Sequence, residues 1–384
     1  GGYIDIRTKD SSKDTDDYVQ LSVEAKANTN TGDDFYTYEG SDADVFGFDD
    51  GYREIDADIL KKSKVTVGER VTGFTKDNFT EEELSQFTQD YVDRDYDVEK
   101  EEQPFGGGFG IEGAKAAELA DTHHLTFFGK YEYETDSESR TETYNRYDME
   151  KSTGKLYQEP TQTGTIGKSM TEHIHNALLN IGYNHADVFK VKYTKLFTHN
   201  AEDVTRIVDG VMGSNDEDMT KYYLDWEERT LNVDQINGAF DYALFGNETN
   251  FRCGIEKATA ELYQPNNFQY TFRNEGDPFL DNKISNSIAN NLESDDDLTA
   301  FYVKNKFNFD LLSEKDYIDI GLAMSSKERE SRQNKFFLQK RGAGTIVDDR
   351  AFTGTIEGIY DEYVRADIPY DERSLVVNQL FSPA

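Results

Sequence analysis

Two histidine pairs are the first candidates for chemistry in this sequence. His173 and His175 are two residues apart, so on a β-strand both side chains would point to the same face and could bind a metal ion together. His123 and His124 are adjacent in the chain. No cysteine or acidic residue stands at a fixed spacing that would complete either site. We therefore interpret the pairs as polar residues of an interface or a lumen, and we expect no metal site.

Acidic runs are a second candidate, because Ca²⁺ binds carboxylate oxygens. They lie at 14–17, 42–50, 215–218 and 294–297. None follows the EF-hand pattern, in which oxygen ligands are arranged around a glycine at a fixed position. We expect most of these runs to be solvated loop faces, with weak binding of a divalent cation to one of them as the open alternative.

Motifs of catalysis do not occur in the chain. The glycines at 106–108 lack the lysine and the strand–helix context of a phosphate loop. No G-x-S-x-G nucleophile motif is present. Cys253 is the single cysteine, which excludes an internal disulfide framework and a cysteine-based metal cluster. We predict that the protein is not an enzyme and uses no cofactor.

Charge and aromatic content narrow the class of protein. The 384 residues include 76 acidic and 41 basic ones, and the formal charge of −35 argues against a nucleic-acid partner. Disordered acidic chains are poor in aromatic residues, whereas this chain has 24 Tyr and 25 Phe and only 6 Pro. That combination favours a folded protein rich in β-strands. No stretch approaches the roughly 20 apolar residues of a transmembrane helix, but a transmembrane strand needs only about ten residues of alternating polarity.

Nine segments alternate between apolar and polar residues and predict strands of about the length of a transmembrane strand. They are Val19 to Ala27, Phe109 to Leu119, Leu125 to Tyr133, Ala177 to Tyr183, Phe189 to Phe197, Ile236 to Leu244, Phe251 to Ala258, Phe301 to Leu311 and Ile318 to Met324. In the two strictest segments, the apolar set should face lipid: Phe189, Val191, Tyr193, Phe301, Val303, Phe307 and Phe309. The lysines between them should face a lumen: Lys190, Lys192, Lys304 and Lys306.

The connectors between these segments alternate in length. Short ones lie at 120–123, 185–187, 245–248 and 313–316, and long polar excursions lie at 29–108, 136–170, 200–221, 264–297 and 327–384. Outer-membrane barrels have short turns at one end and long loops at the other. The pattern predicts an all-β, antiparallel up-and-down meander of roughly nine strands with two unpaired edges, forming a partial transmembrane β-barrel with long external loops. A soluble β-sandwich or solenoid is the alternative.

One helix is predicted inside the first excursion. Thr80 to Glu83 form a capping box. Leu84, Phe87 and Tyr91 then follow at helical spacing. Such a helix would rest on the loop scaffold or cover the mouth of the barrel.

Several runs resemble the TonB-dependent outer-membrane receptor family. Gly1 to Lys9, with the sequence GGYIDIRTK, resembles the strand that closes the plug domain of that family. Asp34 to Gly40 and Phe46 to Arg53 resemble the first external loop of a receptor subgroup. Ala177 to Tyr183, followed by Lys190 to Asp203, resembles a later barrel hairpin of that subgroup. Trp226 to Arg229 lead into a long strand in a similar way. The set covers most of residues 1–340.

The resemblance implies a domain organisation. Residues 1–9 would be the end of a plug domain, and 17–384 would be the N-terminal portion of a truncated receptor barrel. The chain departs from the family in having no TonB box, almost no plug and no final aromatic residue. It also has about nine of the 22 strands that plugged transporters carry. We therefore expect a fragment of a receptor.

The function implied by the resemblance is ligand capture and active import across the bacterial outer membrane. Its partners would be the TonB system, outer-membrane lipid and a ligand that is a small molecule, a metal chelate, a glycan or a peptide. The candidate ligand-binding residues in the external loops are Phe35, Tyr36, Tyr38, Phe46, Phe48, Asp49, Asp50, Arg53, Tyr222, Tyr223 and Trp226. The alternative function is that of a soluble acidic β-sheet protein that binds carbohydrate or protein.

Overall fold

A computed structural model describes most of the chain. The described residues are 16–54, 66–67, 70–71, 80, 94–150, 152–212, 217–281, 287–309, 316–340, 352–363 and 375–380. The run at 1–9 that resembles the end of a plug, and the predicted helix after Thr80, lie outside them.

Strands account for nearly all of the described secondary structure. The strands are β1 (Tyr18–Lys26), β2 (Asp34–Tyr38), β3 (Thr66–Val67), β4 (Arg70–Val71), β5 (Val98–Glu102), β6 (Gly106–Ala120), β7 (His123–Arg146), β8 (Gln162–His185), β9 (Phe189–Met212), β10 (Glu217–Leu244), β11 (Asn247–Arg273), β12 (Phe279–Leu280), β13 (Ser287–Phe309), β14 (Asp316–Lys340) and β15 (Leu375–Leu380). A short 3-10 turn spans Asp44–Phe46, and one α-helix, α1, spans Ile356–Tyr363.

Ten strands form one antiparallel sheet in which spatial order follows chain order. The order is β1-β6-β7-β8-β9-β10-β11-β13-β14-β15, with β12 paired beside β11. The prediction of an all-β antiparallel meander is confirmed, with ten strands instead of about nine. Within the described residues, β1 and β15 are the two edges. The small pairs β2–β5 and β3–β4 lie in the connection between β1 and β6.

The two ends of the sheet differ in their connections. Tight turns join β6 to β7, β8 to β9, and β10 to β11, and they lie together at what we call the tight-turn end. The connections from β1 to β6, β7 to β8, β11 to β13, and β14 to β15 lie at the opposite, long-connector end. This follows because neighbouring antiparallel strands run in opposite directions.

Three of the predicted excursions are mostly strand, and their predicted boundaries were wrong. β7 runs to Arg146 and β8 begins at Gln162, which shortens the excursion at 136–170. β9 runs to Met212 and β10 begins at Glu217, so almost all of 200–221 is strand. The excursion at 264–297 is likewise shortened, because β11 runs to Arg273 and β13 begins at Ser287. In the upper parts of β7 and β8 the residues are mostly polar, and the hydrophobic alternation that marks a strand is lost there. On the upper part of β11, by contrast, Phe268, Tyr270 and Phe272 share one face.

Candidate functional site

A continuous apolar row crosses seven strands on one face of the sheet. Its members are direct partners in the hydrogen-bonded register: Phe127, Ile181, Tyr193, Ile236, Ile255, Phe301 and Met324. The next row toward the tight turns is Leu125, Tyr183, Val191, Gly238, Cys253, Val303 and Leu322. We call this region the apolar belt and the face that carries it the belt face.

Many side chains of the apolar belt are open to solvent. Ile236 on β10 is 48% exposed, Ile255 on β11 is 51% exposed and Met324 on β14 is 65% exposed. Beyond β7, exposed apolar side chains of β1 and β6, such as Val23 and Ile111, lie on the same face. A patch of this extent on a soluble monomer would be unusual, because such patches rarely exceed a few hundred square ångströms.

The opposite face, which we call the polar face, carries the lysines that the sequence assigned to a lumen. Lys192 pairs with Gly182 and Asn237 in the register, between the belt positions Val191 and Tyr193. Lys304 pairs with Arg252 and Gly321, between Val303 and Asn305. The predicted division of the Phe and Lys sets between two faces is confirmed.

Nearer the long-connector end, the belt face is covered by the chain itself. Leu224 and Phe268 on the sheet are 1% exposed, and they belong to a core cluster with Tyr96, Phe352 and Ile356 from the connectors. The same face of the same strands is therefore buried in its upper part and exposed in its lower part. None of the described helices is long and apolar enough to cross a membrane.

Part of the first connector, residues 34–54, docks on the belt face just above the apolar belt. We call it the docked connector. Three consecutive carbonyl groups at the end of its 3-10 turn accept hydrogen bonds from three neighbouring strands. Tyr133 donates to the carbonyl of Val45 at 2.9 Å, and His175 Nε2 donates to that of Phe46 at 2.7 Å. His199 Nε2 donates to the carbonyl of Gly47 at 2.6 Å. The last carbonyls of a short helical turn, which lack partners within it, are thus satisfied by β7, β8 and β9.

These contacts define which ring nitrogen of His175 and of His199 carries a proton. A carbonyl can only accept, so the Nε2 atoms of His175 and His199 carry the protons, and their Nδ1 atoms can accept from Tyr131 and Thr230. Burial lowers the pKa of His175 and of His199. Burial, reinforced by the neighbouring His175, lowers the pKa of His173 to about 4. All three imidazoles are therefore neutral at pH 7.

Beyond the turn, Phe48 and Asp49 extend the docking contact. The ring of Phe48 stacks on His199 with centroids 4.2 Å apart. The backbone N–H of Asp49 donates to Glu228 Oε1 at 2.6 Å, and Tyr263 donates to the Asp49 carboxylate at 3.3 Å. Burial, with Asp49 beside it, raises the pKa of Tyr263, and burial also raises the pKa of Glu228.

Arg53 is the charged centre of the docked connector. Its side chain is 3% exposed, and its guanidinium bonds to Asp44 at 2.5 and 2.8 Å and to Asp49 at 3.4 Å. The guanidinium carbon also lies 4.2 Å from the ring centroid of Trp226, which is 0% exposed. One oxygen of Asp203 is buried in the same cluster. Burial raises the pKa of Asp203 to about 7, although Arg53 opposes that shift. Arg53 therefore anchors the segment. This buried cation bonds to two carboxylates, lies beside a third and stacks on an aromatic ring.

Ten of the eleven candidate ligand-binding residues divide into three groups. Phe35, Arg53 and Trp226 are buried, and Asp49 has a buried carboxylate, so these four hold the connector and do not present a surface. Tyr36, Tyr38 and Tyr222 are half-buried on the same side. The backbone of Tyr36 donates to Ser169 Oγ, and Tyr222 stacks on Tyr270. Phe46, Phe48 and Asp50 are exposed.

Tyr223 lies apart from the others. It pairs with Arg206 in the register and faces the polar side of the sheet, where the Arg206 guanidinium is 4.0 Å from its ring centroid. Tyr223 therefore does not share a surface with Tyr222 and Trp226, because adjacent strand residues point to opposite faces.

Sequence reasoning missed several residues of this site. The residues that were missed lie on β9, β10 and β11, far from the connector in sequence; they are His199, Asp203, Glu228 and Tyr263. The pair His173-x-His175 was noted, but as a polar interface or lumen pair and not as a dock for a loop. The available signal was the placement of three histidines just above apolar strand segments.

One group among the described residues has the geometry to hold a metal ion. Asp95, Asp97 and Glu357 each place a carboxylate oxygen within 4.8 Å of the others. Asp97 accepts from the backbone N–H of Ile356 at 2.8 Å, so one of these carboxylates already has a role at the start of α1. His173 and His175 share a face as expected, and both are engaged in hydrogen bonds of the dock.

Comparison of the chain with models of protein families, with curated proteins and with solved structures finds no match.

Proposed function

We propose that this chain forms part of the wall of an outer-membrane β-barrel receptor of the TonB-dependent kind, and that the receptor captures a ligand externally and imports it. The observation that supports the proposal most is the apolar belt. Its rows join direct register partners on seven strands, and exposed apolar residues of β1 and β6 extend it.

The height of the belt matches a bilayer. On β10 its apolar positions run from Ile236 to Leu244 at every second residue. A transmembrane strand needs about 9–11 residues. The long strands have 23 to 28 residues, so more than half of each would extend above the lipid on the side of the long connectors.

The two halves of the belt face differ in what covers them. This difference argues against the view that the exposed half is the uncovered core of a soluble protein. Where the face is level with the connectors, Leu224 and Phe336 are covered by the chain's own residues. Where the tight turns are too short to fold back, Leu322 and Ile320 stay exposed. Lipid would cover the second set in the way that connectors cover the first.

The proposal includes three partners, which are lipid, a ligand and the TonB system. Lipid would contact the belt face, and the polar face would line the lumen. The ligand, whether a small molecule, a metal chelate, a glycan or a peptide, would be bound on the long-connector side. The TonB system would supply the energy through a plug. Localisation in the bacterial outer membrane belongs to the same proposal.

Cys253 allows a direct test, because it is the single cysteine and lies within the apolar belt. The full chain is folded into phosphatidylcholine bilayers and spin-labelled at Cys253, and collisions with oxygen and with a water-soluble nickel chelate are compared. Oxygen, which concentrates in lipid, should dominate. The matched control is Glu256→Cys with Cys253→Ser, because position 256 lies on the polar face of the same strand. There the nickel chelate should dominate.

Equal or nickel-dominated collisions at both positions would refute the membrane proposal. The alternative, a soluble acidic β-sheet protein that binds carbohydrate or protein, would then be favoured. In that case the apolar belt would have to be covered by another protein surface.

A further inference from the structure

Three cationic side chains lie next to one another on the polar face, in the half of the sheet nearer the long connectors. Arg140 on β7 is the direct register partner of Lys168 on β8, and Lys168 is the direct partner of Arg206 on β9. Like charges placed directly opposite across two strands destabilise a sheet. Acidic residues outnumber basic ones by 76 to 41 in this chain, so this row of three cations has the opposite sign of charge to the chain as a whole.

Two members of the row lack an ion-pair partner. Arg140 bonds to Glu142 at 2.9 Å. Within the described ranges, no carboxylate lies within 4.0 Å of Lys168 or Arg206. In the part of the chain that the structure describes, the Lys168 ammonium donates one hydrogen bond, to the sulfur of Met170 at 3.5 Å. The Nε of Arg206 is buried without a hydrogen-bond acceptor. A buried donor without an acceptor is costly, and a ligand oxygen would remove that cost.

These two cations line a cavity of about 420 Å³, a size within the range of small-molecule sites. The opposite side of the cavity carries Glu202 and Glu227, which are already paired with Arg229. Glu142, which bonds to Arg140, and Asp225 are the other two acids of the lining. The pKa of Asp225 is raised by burial, while Arg206 and Lys168 oppose the shift.

The position of Arg206 is fixed by an aromatic neighbour. Its guanidinium carbon lies 4.0 Å from the ring centroid of Tyr223. Stacking of this kind orients the planar fork of donors, which matches the two oxygens of a carboxylate.

We propose that Lys168 and Arg206 bind a carboxylate group of a ligand in this cavity. The acids on the far side favour a singly charged carboxylate over a doubly charged phosphate, because they would repel additional negative charge. The inference rests on the proposed function in one respect, since it names the chemistry of the ligand that the receptor captures. The carboxylate could belong to an acidic sugar or to an acidic peptide.

The test is calorimetric titration of the detergent-solubilised full chain with two acidic probes and their neutral counterparts. The probes are galacturonate against its methyl ester, and acetyl-glutamate amide against acetyl-glutamine amide, so that each acid carries a single carboxylate. At least one acid should bind ten or more times more tightly than its neutral counterpart. Lys168→Gln and Arg206→Gln should each weaken that binding tenfold or more. Lys192→Gln, on the polar face outside the cavity, should leave the affinity unchanged.

The pattern of binding names the source of the carboxylate. Binding of the sugar acid alone assigns an acidic glycan, and binding of the peptide acid alone assigns an acidic peptide. The inference is overturned if neither acid binds, if the neutral probes bind equally well, or if Lys192→Gln causes the same loss. Unchanged emission of Trp226 shows that each variant is folded. The Cys253 collision experiment needs no ligand, so failure of this inference is distinguishable from failure of the membrane proposal.

Discussion

The guanidinium of Arg53 lies 4.2 Å from the ring centroid of Trp226, and the two side chains are 3% and 0% exposed. Arg53 belongs to the first connector and Trp226 to β10, so 173 positions separate them in sequence. Because Trp226 is the only tryptophan in the chain, its fluorescence reports directly on whether the docked connector is in place.

Loss of the Arg53 charge should release the connector. Arg53→Gln leaves Asp44, Asp49 and Asp203 without their common cation, and removal of one partner of a buried ion pair costs about 3–5 kcal/mol. Trp226 emission should shift to the red, and proteases should cleave near residues 40–54. Arg332→Gln is the matched control, because Arg332 pairs with Glu330 at a solvent-exposed position. An unshifted emission spectrum in Arg53→Gln would show that the cluster does not anchor the segment.

Two glycines of the docked connector separate backbone strain from close packing. Gly47 and Gly51 both have positive φ, at 74° and 96°, so alanine at either position costs about 1–2 kcal/mol. At Gly47 a Cβ would also lie 2.5 Å from the Cβ of His173, a clash that adds about 1–3 kcal/mol. At Gly51 the nearest atom would be 3.6 Å away. Gly47→Ala should therefore shift Trp226 emission much more than Gly51→Ala, and equal shifts would contradict the observed packing against β8.

Arginine scanning of adjacent positions on β14 distinguishes lipid from water. Leu322 is 59% exposed on the belt face, and Ala323 lies on the polar face. In a bilayer, Leu322→Arg should lower the free energy of unfolding by about 2–4 kcal/mol, whereas Ala323→Arg should change it much less. Denaturant titration of the protein in bilayers, followed by Trp226 emission, measures both. If the belt face were in water, Leu322→Arg would be as well tolerated as Ala323→Arg.

The docking of the connector should depend on pH through two opposing groups. In the docked structure, burial lowers the pKa of His173 from its ordinary value of 6.5 to about 4, so its contribution is complete above pH 6.5 and is lost as the pH falls toward 4. The pKa of Asp203 rises from 3.8 to about 7, so its contribution is complete below pH 3.8 and is lost as the pH rises toward 7. Between pH 4 and 6.5 the two effects oppose each other.

Asp203→Asn should leave the protonation of His173 as the pH-dependent group that acts on docking. In this variant the docking no longer weakens with rising pH, so the acid-induced red shift of Trp226 should begin at a higher pH than in the unmodified protein. Arg53 keeps Asp44 and Asp49 as partners, which should preserve docking at pH 7. An identical pH profile for the variant and the unmodified protein would mean that Asp203 does not titrate in this range.

The alternation of side chains along the chain was sufficient to predict the strands of the lower sheet. A strand places successive residues on opposite faces, so Phe189 and Val191 had to share a face that Lys190 and Lys192 could not join. Short turns then required neighbouring strands to be antiparallel and consecutive. These are local constraints, and sequence alone determined them.

The upper sheet and the docked connector were decided by tertiary structure. The strand at 200–212 carries polar residues on both faces. The first connector packs on one side of it, and a cavity lies on the other. Whether Arg53 meets Trp226, or Tyr223 meets Arg206, depends on register across three or more strands and on the path of a connector of about 80 residues. Local propensity does not encode those long-range pairings, because each is fixed only when all intervening strands are in place.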